Sequence, residues 1–429
     1  MVNLIVPGWP WNFSPLYMSL SLSLNPTLSP AQPQAVSPLT PEMQLLLTCA
    51  RLKLTSRQQQ RLNQLCGEVS DWSALMHQAN HHLIAPLVYR HLKAIASPSI
   101  SALALEQMRA LCQKRIMRMM AMAAVQQRLV QQVLQPLGVA YVLLKGPSLA
   151  QRYYGGLGLR QCRDIDVLVD PARLLEVVDA IVACGYRIDL RDCNNRQDLE
   201  AACRYRAVVT VVSPKGSRIE LHQRLDDKGH VFDPDYLLSK AEPFTANGVL
   251  YQVLPTSALF VYICYHHSRH QWAHLHWLTD LDAFQRHPSF DRQSVEAFAT
   301  EVGLRATVGA SLALHRVCGS ATPHGVELAC RSERSMRDGC LRSLASQEQI
   351  KALHGRRADI FDAWFIWLRY LVIVAFRPDY DDYKALPLPR VWQWVYYLIH
   401  PFRMARKTTV KLLLRQNLKI TLWNARNST

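Results

Sequence analysis

The spacing of hydrophobic residues changes twice along this chain, and each change predicts a different kind of secondary structure. From Pro41 to Leu137, apolar side chains recur at helical intervals, and the last part of this region is one long amphipathic pattern that ends at Gly138. Short apolar runs of strand length follow. The helical period returns after about Pro255, with a polar, loop-like stretch at 319–358. The pattern therefore predicts a small sheet between two helical regions.

The first part of the predicted sheet alternates strands with helices. The run "VAYVLL" at 139–144 has the length and composition of a buried strand, and "IDVLVD" at 165–170 is the next one. A helix follows the second strand, because Asp170 is a suitable N-cap, Pro171 suits the first helical position, and Gly185 is a typical stop.

Two further runs predict a hairpin. Residues 205–212 and 218–225 have strand composition, and the intervening "SPKGS" contains the Pro and Gly of a tight turn. The fold class is therefore α+β, with a small mixed sheet flanked by helical regions. We predict a disordered or mis-started tail at 1–40, an N-terminal helical region at 41–137, a sheet-containing core at 138–243 and a C-terminal helical region with a basic tail at 244–429.

Composition narrows the compartment and the class of partner. The 49 Lys and Arg exceed the 33 Asp and Glu, which gives a net charge of +16 and favours an anionic partner. The 11 Cys include no CxxC pair, so neither a disulfide framework nor a structural zinc site is indicated, and a cytoplasmic location is the simplest expectation. No charged residue precedes Glu42, so the basic start of a secretory signal is missing; initiation at Met18 is an alternative.

Two segments bear on membranes. The apolar run at 363–376 is too short to span a bilayer and contains Arg369, so we expect a core helix and no transmembrane segment. The segment at 390–429 interleaves basic residues with Trp and Tyr and has no acidic residue. This composition suits weak contact with an anionic membrane, at the inner membrane surface, or with a nucleic acid. The alternative is a core-packed helix followed by a solvated tail.

Paired carboxylates carry the strongest chemical signal. Because side chains alternate along a strand, Asp164, Asp166 and Leu168 share one face, and Ile165, Val167 and Val169 share the other. The same alternation puts Glu220, His222 and Arg224 on one face of the second hairpin strand. If that strand lies beside the first, three carboxylates converge, and a hard divalent cation would hold them ionised. This predicts Mg²⁺ or Mn²⁺. We expect His222 to be a hydrogen-bonding neighbour, because Mg²⁺ prefers oxygen.

A candidate phosphate site precedes the carboxylates. In "LLKGPSLAQRYY" a turn opens a helix, so Lys145, Gly146 and Ser148 are expected to bind a polyphosphate. Arg160 and Arg163 are expected to orient the carboxylates or contact phosphate. A phosphate-binding turn beside a carboxylate-bound metal is the arrangement that phosphoryl or nucleotidyl transfer requires.

The histidines of "HHSRHQWAHLHW" allow a second interpretation. His266 and His270, or His270 and His274, are four residues apart and would chelate a transition metal on a helix. No HExxH motif and no further ligand completes a catalytic zinc set, so a packed or substrate-facing helix is favoured. In that case His267, His270, Trp272 or Trp277 would contact the nucleobase or the acceptor.

These residues resemble a known family. The segments "YVLLKGPSLAQRYYGGLGLRQCRDIDVLV" and "IELHQRL" resemble the uncharacterised nucleotidyltransferase family of the DNA polymerase beta-like superfamily. Three flanking segments extend the similarity: 71–92, 265–284 and 386–403. The resemblance implies that Asp164 and Asp166 bind two metals and that Glu220 completes the carboxylate set. It also implies that Gly146 and Ser148, here separated by Pro147, stand where a Gly-Ser turn binds the triphosphate.

The implied activity is metal-dependent transfer of a nucleoside monophosphate from an NTP to an unidentified small-molecule, peptide or nucleic-acid acceptor, with release of pyrophosphate. Two alternatives stay open at this point. One is a catalytically silent nucleotide- or RNA-binding module, and the other is a peripheral membrane protein that uses the basic C-terminal helix.

Overall fold

The computed structural model describes residues 39–226, 231–320, 323–346 and 364–406. The predicted N-terminal tail lies outside the described residues except for its last two positions. Most of the predicted basic tail, at 407–429, also lies outside them.

The N-terminal region is helical, as its apolar period predicted. Asp71 accepts hydrogen bonds from the backbone N–H groups of Ser73 and Ala74 and so caps the third helix. Gly138, with φ +60°, ends the last one at the predicted position. The helices are α1 (Pro41–Cys49), α2 (Ser56–Glu68), α3 (Trp72–His81), α4 (Ala85–Ile95), α5 (Ala102–Leu129) and α6 (Gln135–Leu137), with a π-helical turn (Val130–Leu134) before α6.

The central sheet is mixed and has seven strands within the described ranges. The strands are β1 (Tyr141–Leu143), β2 (Asp164–Val169), β3 (Arg187–Ile188), β4 (Val208–Val212), β5 (Arg218–His222), β6 (Glu242–Ala246) and β7 (Val249–Val253). Their order is β3-β4-β5-β2-β1-β7-β6. The pairs β2–β5 and β1–β7 are parallel, and the other neighbours are antiparallel. The α+β class with a mixed sheet is confirmed.

Among the described residues, four α-helices connect the strands. They are α7 (Pro147–Tyr153), α8 (Leu174–Ala183), α9 (Arg196–Tyr205) and α10 (Pro234–Ser239). Asp170 caps a 3-10 turn that leads into α8, and Gly185 follows α8 with φ +84°. The predicted hairpin turn between β4 and β5 is present, with Gly216 at φ +83°.

The β6–β7 hairpin extends the sheet to Val253, ten residues beyond position 243, the predicted end of the core. Asn247 and Gly248, both at positive φ, form its turn. An Asn-Gly pair between alternating residues is a strong hairpin signal. It was overlooked because the second run, "VLYQV", is short and lies directly before the returning helical period.

The two faces of the sheet pack against different partners. Ile165, Val167 and Val169 lie in one hydrophobic core with residues of α5 and α8. Leu168, which points the opposite way, lies in a second core with residues of helices from both ends of the chain. The predicted alternation of β2 is therefore confirmed, and it leaves Asp164 and Asp166 on the side of the second core.

The C-terminal helices are α11 (Thr256–Arg269), α12 (Leu275–Arg286), α13 (Arg292–Glu301), α14 (Arg305–Val317), α15 (Arg331–Ser346), α16 (Trp364–Phe376) and α17 (Tyr380–Ala385), followed by a 3-10 helix (Arg390–Val395) and a helical segment at 396–406. Helices from the two ends of the chain share the second core: Leu45 of α1 and Leu341 of α15 both belong to it. The Leu52 backbone N–H also donates to Asp282 of α12, at 2.7 Å.

Two sequence predictions in this region were wrong in part. The stretch 319–358 was expected to be a loop, but α15 occupies part of it, because Cys340, Leu341 and Leu344 form a buried stripe on an otherwise polar helix. The run at 363–376 was expected to be a core helix. It is helical from Trp364, and Val374 packs against the second core, yet side chains such as Val372 and Phe376 are exposed. Within the described residues, no helix combines the length and apolar character needed to cross a bilayer.

The C-terminal segment returns to the sheet-containing core. Ala201 and Ala202 of α9 form a small hydrophobic cluster with Tyr380, Tyr383 and Tyr396. Behind this cluster, the buried carboxylate of Asp382 pairs with His400, at 2.6 Å, and with Arg403. Burial opposes ionisation of Asp382, but the bonds from His400 and Arg403 outweigh it and hold the pKa of this carboxyl below its ordinary value.

Candidate active site

Asp166 and Glu220 converge because β2 and β5 are neighbours in parallel register. Asp166 pairs with Glu220, and Asp164 pairs with Arg218. Side chains at paired positions of adjacent strands point to the same face, so the expected juxtaposition of Asp166 and Glu220 is present. Ligand atoms of Asp166, Glu220 and His222 lie within 4.8 Å of one another. Asp164 lies two residues before Asp166 along the same face.

Asp166 is the most enclosed member of the group. Its side chain is fully buried, and its Oδ1 contacts Lys145 Nζ at 3.1 Å and His222 Nε2 at 3.2 Å. Its Oδ2 is buried and has no hydrogen-bond partner within the described part of the chain. A buried carboxylate oxygen without a partner is costly, and a bound cation would satisfy it. The residues therefore fit a divalent metal with oxygen ligands.

The two aspartates differ in their proton affinity. Burial, reinforced by the charge of Asp166, raises the pKa of Asp164 to about 6. Burial also opposes ionisation of Asp166, but the ammonium of Lys145 and the hydrogen bond to His222 outweigh it and hold the pKa of Asp166 below its ordinary value. Asp166 is thus ionised near neutrality, and Asp164 is ionised but readily protonated.

The Lys-Gly turn abuts the carboxylate strand. Gly146 has φ +79°, and a Cβ there would lie 3.2 Å from the carbonyl oxygen of Asp164. Only glycine combines this backbone conformation with this approach. The Ser148 hydroxyl donates to the carbonyl of Lys145 at 3.1 Å, so in this structure it closes the turn. The structure thus brings Lys145 and Gly146 to the carboxylates but keeps Ser148 buried behind the turn.

The two candidate arginines occupy different environments. Arg160 is buried and forms a two-bond pair with Asp280 of α12, at 2.8 and 3.0 Å, rather than contacting Asp164 or Asp166. It also reaches the Gly146 carbonyl at 3.4 Å, so it supports the turn. Arg163 is exposed and donates to the carbonyl of His81 at 3.4 Å.

Sequence reasoning missed Asp280 as the partner of Arg160. Tyr154 also donates to Asp280, at 2.6 Å, so three buried polar groups converge there. The available signal was an Asp inside the apolar run "HWLTDLDAF", because a buried carboxylate requires a cationic or hydrogen-bonding partner.

Two cavities open beside Asp164. The larger has a volume of about 570 Å³, and Asp164 and Glu220 lie in its wall. Its basic lining consists of Arg115, Arg118, Arg163 and Arg218. The smaller, of about 180 Å³, is bordered by Lys145, Gly146 and Asp164 on one side and by His266, His267 and His274 on the other. Cationic walls beside carboxylates suit a polyanionic substrate bridged by metal. Arg115 and Arg118 were not among the sequence candidates, although they are three residues apart on α5.

The histidine-rich segment differs from its predicted form. One helix was expected to carry His270 and His274, but α11 ends at Arg269 and α12 begins at Leu275. Gln271 and Trp272, both at φ +53°, turn the chain between the two helices. His267 stacks on Trp277 with a ring-centroid distance of 4.5 Å, so it packs against α12.

The sequence model of a family described as uncharacterised nucleotidyltransferase matches residues 68–319. The chain belongs to the uncharacterised nucleotidyltransferase family. No curated protein matches the chain. The matched range runs from the end of α2 to just beyond α14, so it contains the sheet, all three carboxylates, the Lys-Gly turn and the turn between α11 and α12. Membership in this nucleotidyltransferase family supports a general role in nucleotidyl transfer.

Proposed function

We propose that this nucleotidyltransferase moves a nucleoside monophosphate from an NTP to an unidentified acceptor and releases pyrophosphate, with Mg²⁺ or Mn²⁺ held by Asp164, Asp166 and Glu220. The observation that carries the proposal is the parallel register of Asp166 with Glu220, together with the unpartnered buried Oδ2 of Asp166. When bound, the metal would neutralise charge on the phosphate oxygens and align the attacking and leaving oxygens.

The residues of the chain have distinct roles in this proposal. An oxygen of the acceptor attacks the α-phosphorus, and the bond to pyrophosphate breaks. Glu220 either takes the acceptor proton or, where it completes the metal set, leaves that proton to solvent. His222 fixes the orientation of Asp166 through its 3.2 Å contact. Lys145 and Gly146 are proposed to contact the β- and γ-phosphates, with Ser148 shaping their turn. Binding therefore includes a switch of the Lys145 ammonium from Asp166 toward phosphate.

The basic residues near the site would hold the substrate's negative charge. Arg163 lies on both cavities and is exposed, so it is free to approach an anionic group. Arg160 forms an ion pair with Asp280, and its proposed role is to stabilise the Lys-Gly turn through its hydrogen bond to the Gly146 carbonyl.

The proposal is tested with labelled NTPs, Mg²⁺ or Mn²⁺, and a cell extract as the source of acceptor. Wild type is expected to yield a labelled acceptor that disappears with Asp164→Ala and with Asp166→Ala. Glu176→Gln, which alters an exposed carboxylate on α8, is the matched control and should retain activity. If wild type and a double variant with both Asp164→Ala and Asp166→Ala are indistinguishable, the enzyme proposal fails. Binding of NTP or RNA without turnover would then favour a catalytically silent binding module.

A second function, peripheral binding to an anionic membrane from the cytoplasmic side, is favoured by the exposed apolar surface near the C-terminus. Val391 and Phe402 are 76% and 78% exposed, and Trp392 and Trp394 are more than half exposed. Bulky aromatic side chains beside basic residues suit a lipid interface. Deleting 390–429 would also remove the partners of Asp382, so Trp392→Ser with Phe402→Ser is the cleaner test. This variant should lose binding to anionic vesicles, and Leu103→Ser on α5 should keep it. Failure of wild type to bind would end this proposal.

A further inference from the structure

Three imidazole rings meet at a point that the carboxylate site does not use. His81 is the last residue of α3, His82 follows it, and His274 is the residue before α12. Their ring centroids are 5.1, 5.2 and 5.9 Å apart. One ring nitrogen from each lies within 4.8 Å of those of the other two. Two elements almost 200 positions apart in sequence thus present three nitrogen ligands to one volume.

Two of the rings each contain a buried nitrogen that lacks the hydrogen bond ordinary packing would supply from the described residues. The Nδ1 atoms of His82 and His274 are both buried and have no hydrogen-bond partner among the residues that the structure describes. A buried polar atom without a hydrogen-bond partner is energetically unfavourable. Two such atoms in one cluster indicate that a ligand belongs there.

Both turns that carry these histidines adopt an unusual backbone. Leu83, directly after His82, has φ +58°, and Gln271 and Trp272, shortly before His274, have φ +53°. Left-handed conformations are uncommon for bulky residues and persist where the surrounding structure enforces them. A hydrogen bond from the backbone N–H of His276 to the carbonyl of His82, at 3.3 Å, fastens the two turns together.

We propose that His81, His82 and His274 bind one Zn²⁺ ion, separate from the metal of the carboxylate site. Three imidazoles without a carboxylate are ligands for a borderline transition metal, and Mg²⁺ would not select them. Tetrahedral zinc with Zn–N distances of about 2.1 Å places its nitrogen ligands about 3.4 Å apart. The separations here, up to 4.8 Å, exceed this by about 1.4 Å, so binding requires small ring rotations at His81 and at His274, which are both half-buried.

Three protein ligands leave the fourth position of a zinc ion for water or a substrate atom. His81 borders the larger cavity and His274 the smaller one, and Asp164 borders both. The ion would therefore lie in the wall of the proposed active site, facing the groups that enter beside Asp164. The nearby Arg163 is exposed, so solvent screens its charge from the ion.

The test uses full-length protein from which any affinity tag of histidines has been removed. After treatment with EDTA, the protein is titrated with Zn²⁺ and analysed for bound metal, and separately with Co²⁺, whose visible absorption reports the ligand geometry. Wild type should retain one equivalent of zinc and give a tetrahedral cobalt spectrum. His81→Asn and His274→Asn should each lose both signals. His270→Asn, which removes an exposed ring from the same turn, should keep them.

Several results would overturn the proposal. Wild type that retains no zinc is one, and equal loss in His270→Asn is another, because that would assign the site to the pair expected from sequence. Circular dichroism shows whether each variant is folded, and His81→Asn, at the half-buried position, is the variant least expected to unfold. Asp166→Asn should lose nucleotidyl transfer but keep zinc, so failure of either metal site is distinguishable from failure of the other.

Discussion

Replacing Asp164 with Asn should stabilise the metal-free protein while abolishing the proposed activity. Burial and the charge of Asp166 raise the pKa of Asp164 from 3.8 to about 6, so the folded protein holds this carboxylate at a cost when it is ionised. At about 1.4 kcal/mol per pKa unit, the cost at pH 7.5 is on the order of 3 kcal/mol. An Asn side chain has nearly the same shape and no charge, so it removes this cost.

The sign of the pH dependence follows from the same shift. A raised carboxyl pKa means that the folded protein binds the proton more tightly than the unfolded chain, so the stability of wild type increases as the pH falls from above 6 toward 3.8. Asp164→Asn lacks this gain. Its advantage should therefore decrease from roughly 3 kcal/mol at pH 7.5 to about 1 kcal/mol at pH 4.5.

Urea denaturation in EDTA, followed by tryptophan fluorescence, measures both values. Glu176→Gln, which removes only an exposed ion pair with Arg173, should shift the midpoint little at either pH. A variant no more stable than wild type at pH 7.5, or one whose advantage persists at pH 4.5, would refute the reasoning. Adding Mg²⁺ extends the test, because an ion that binds only the folded state stabilises it. Mg²⁺ should stabilise wild type more than the variant and so narrow the difference between them.

Three further substitutions test the groups around the carboxylates, each by urea denaturation. Gly146→Ala should lose more stability than Gly248→Ala, because both have positive φ but only the first would bring a Cβ within 3.2 Å of backbone; equal losses would contradict the close approach. Arg160→Met should cost about 3–5 kcal/mol by removing the cationic partner of a buried carboxylate, and Arg163→Met, at an exposed site, should cost little; the reverse order would contradict the pairing. Lys145→Met should destabilise the protein in EDTA, with Mg²⁺ restoring part of the loss; a variant as stable as wild type in EDTA would show that its ion pair contributes little.

The alternation of β2 was predictable because it depends on local spacing alone. The faces of Asp166 and Leu168 follow from the period of a strand, and the turn before β5 follows from Pro and Gly. The position of Glu220 beside Asp166 was expected only if the two strands were neighbours, since the sequence of a strand does not by itself specify which strand it pairs with. The structure shows that they are neighbours, because β2 pairs with β5 in parallel.

Long-range partners were beyond sequence reasoning. Nothing near Arg160 indicates that Asp280 will neutralise it, and nothing near His82 indicates that His274 will approach it. The exposed face of α16 was also misjudged, because hydropathy alone does not distinguish a core helix from one with an apolar outer surface.

The hydrophobic core shared by α1 and α15 has a consequence for biosynthesis. Leu45 leaves the ribosome early, but Leu341, in the same core, is translated almost 300 residues later. The N-terminal helices pack partly against one another, but they cannot complete this core until most of the chain has been made. Late completion of a hydrophobic core favours aggregation of the nascent polypeptide, so we expect chaperones to bind it during translation.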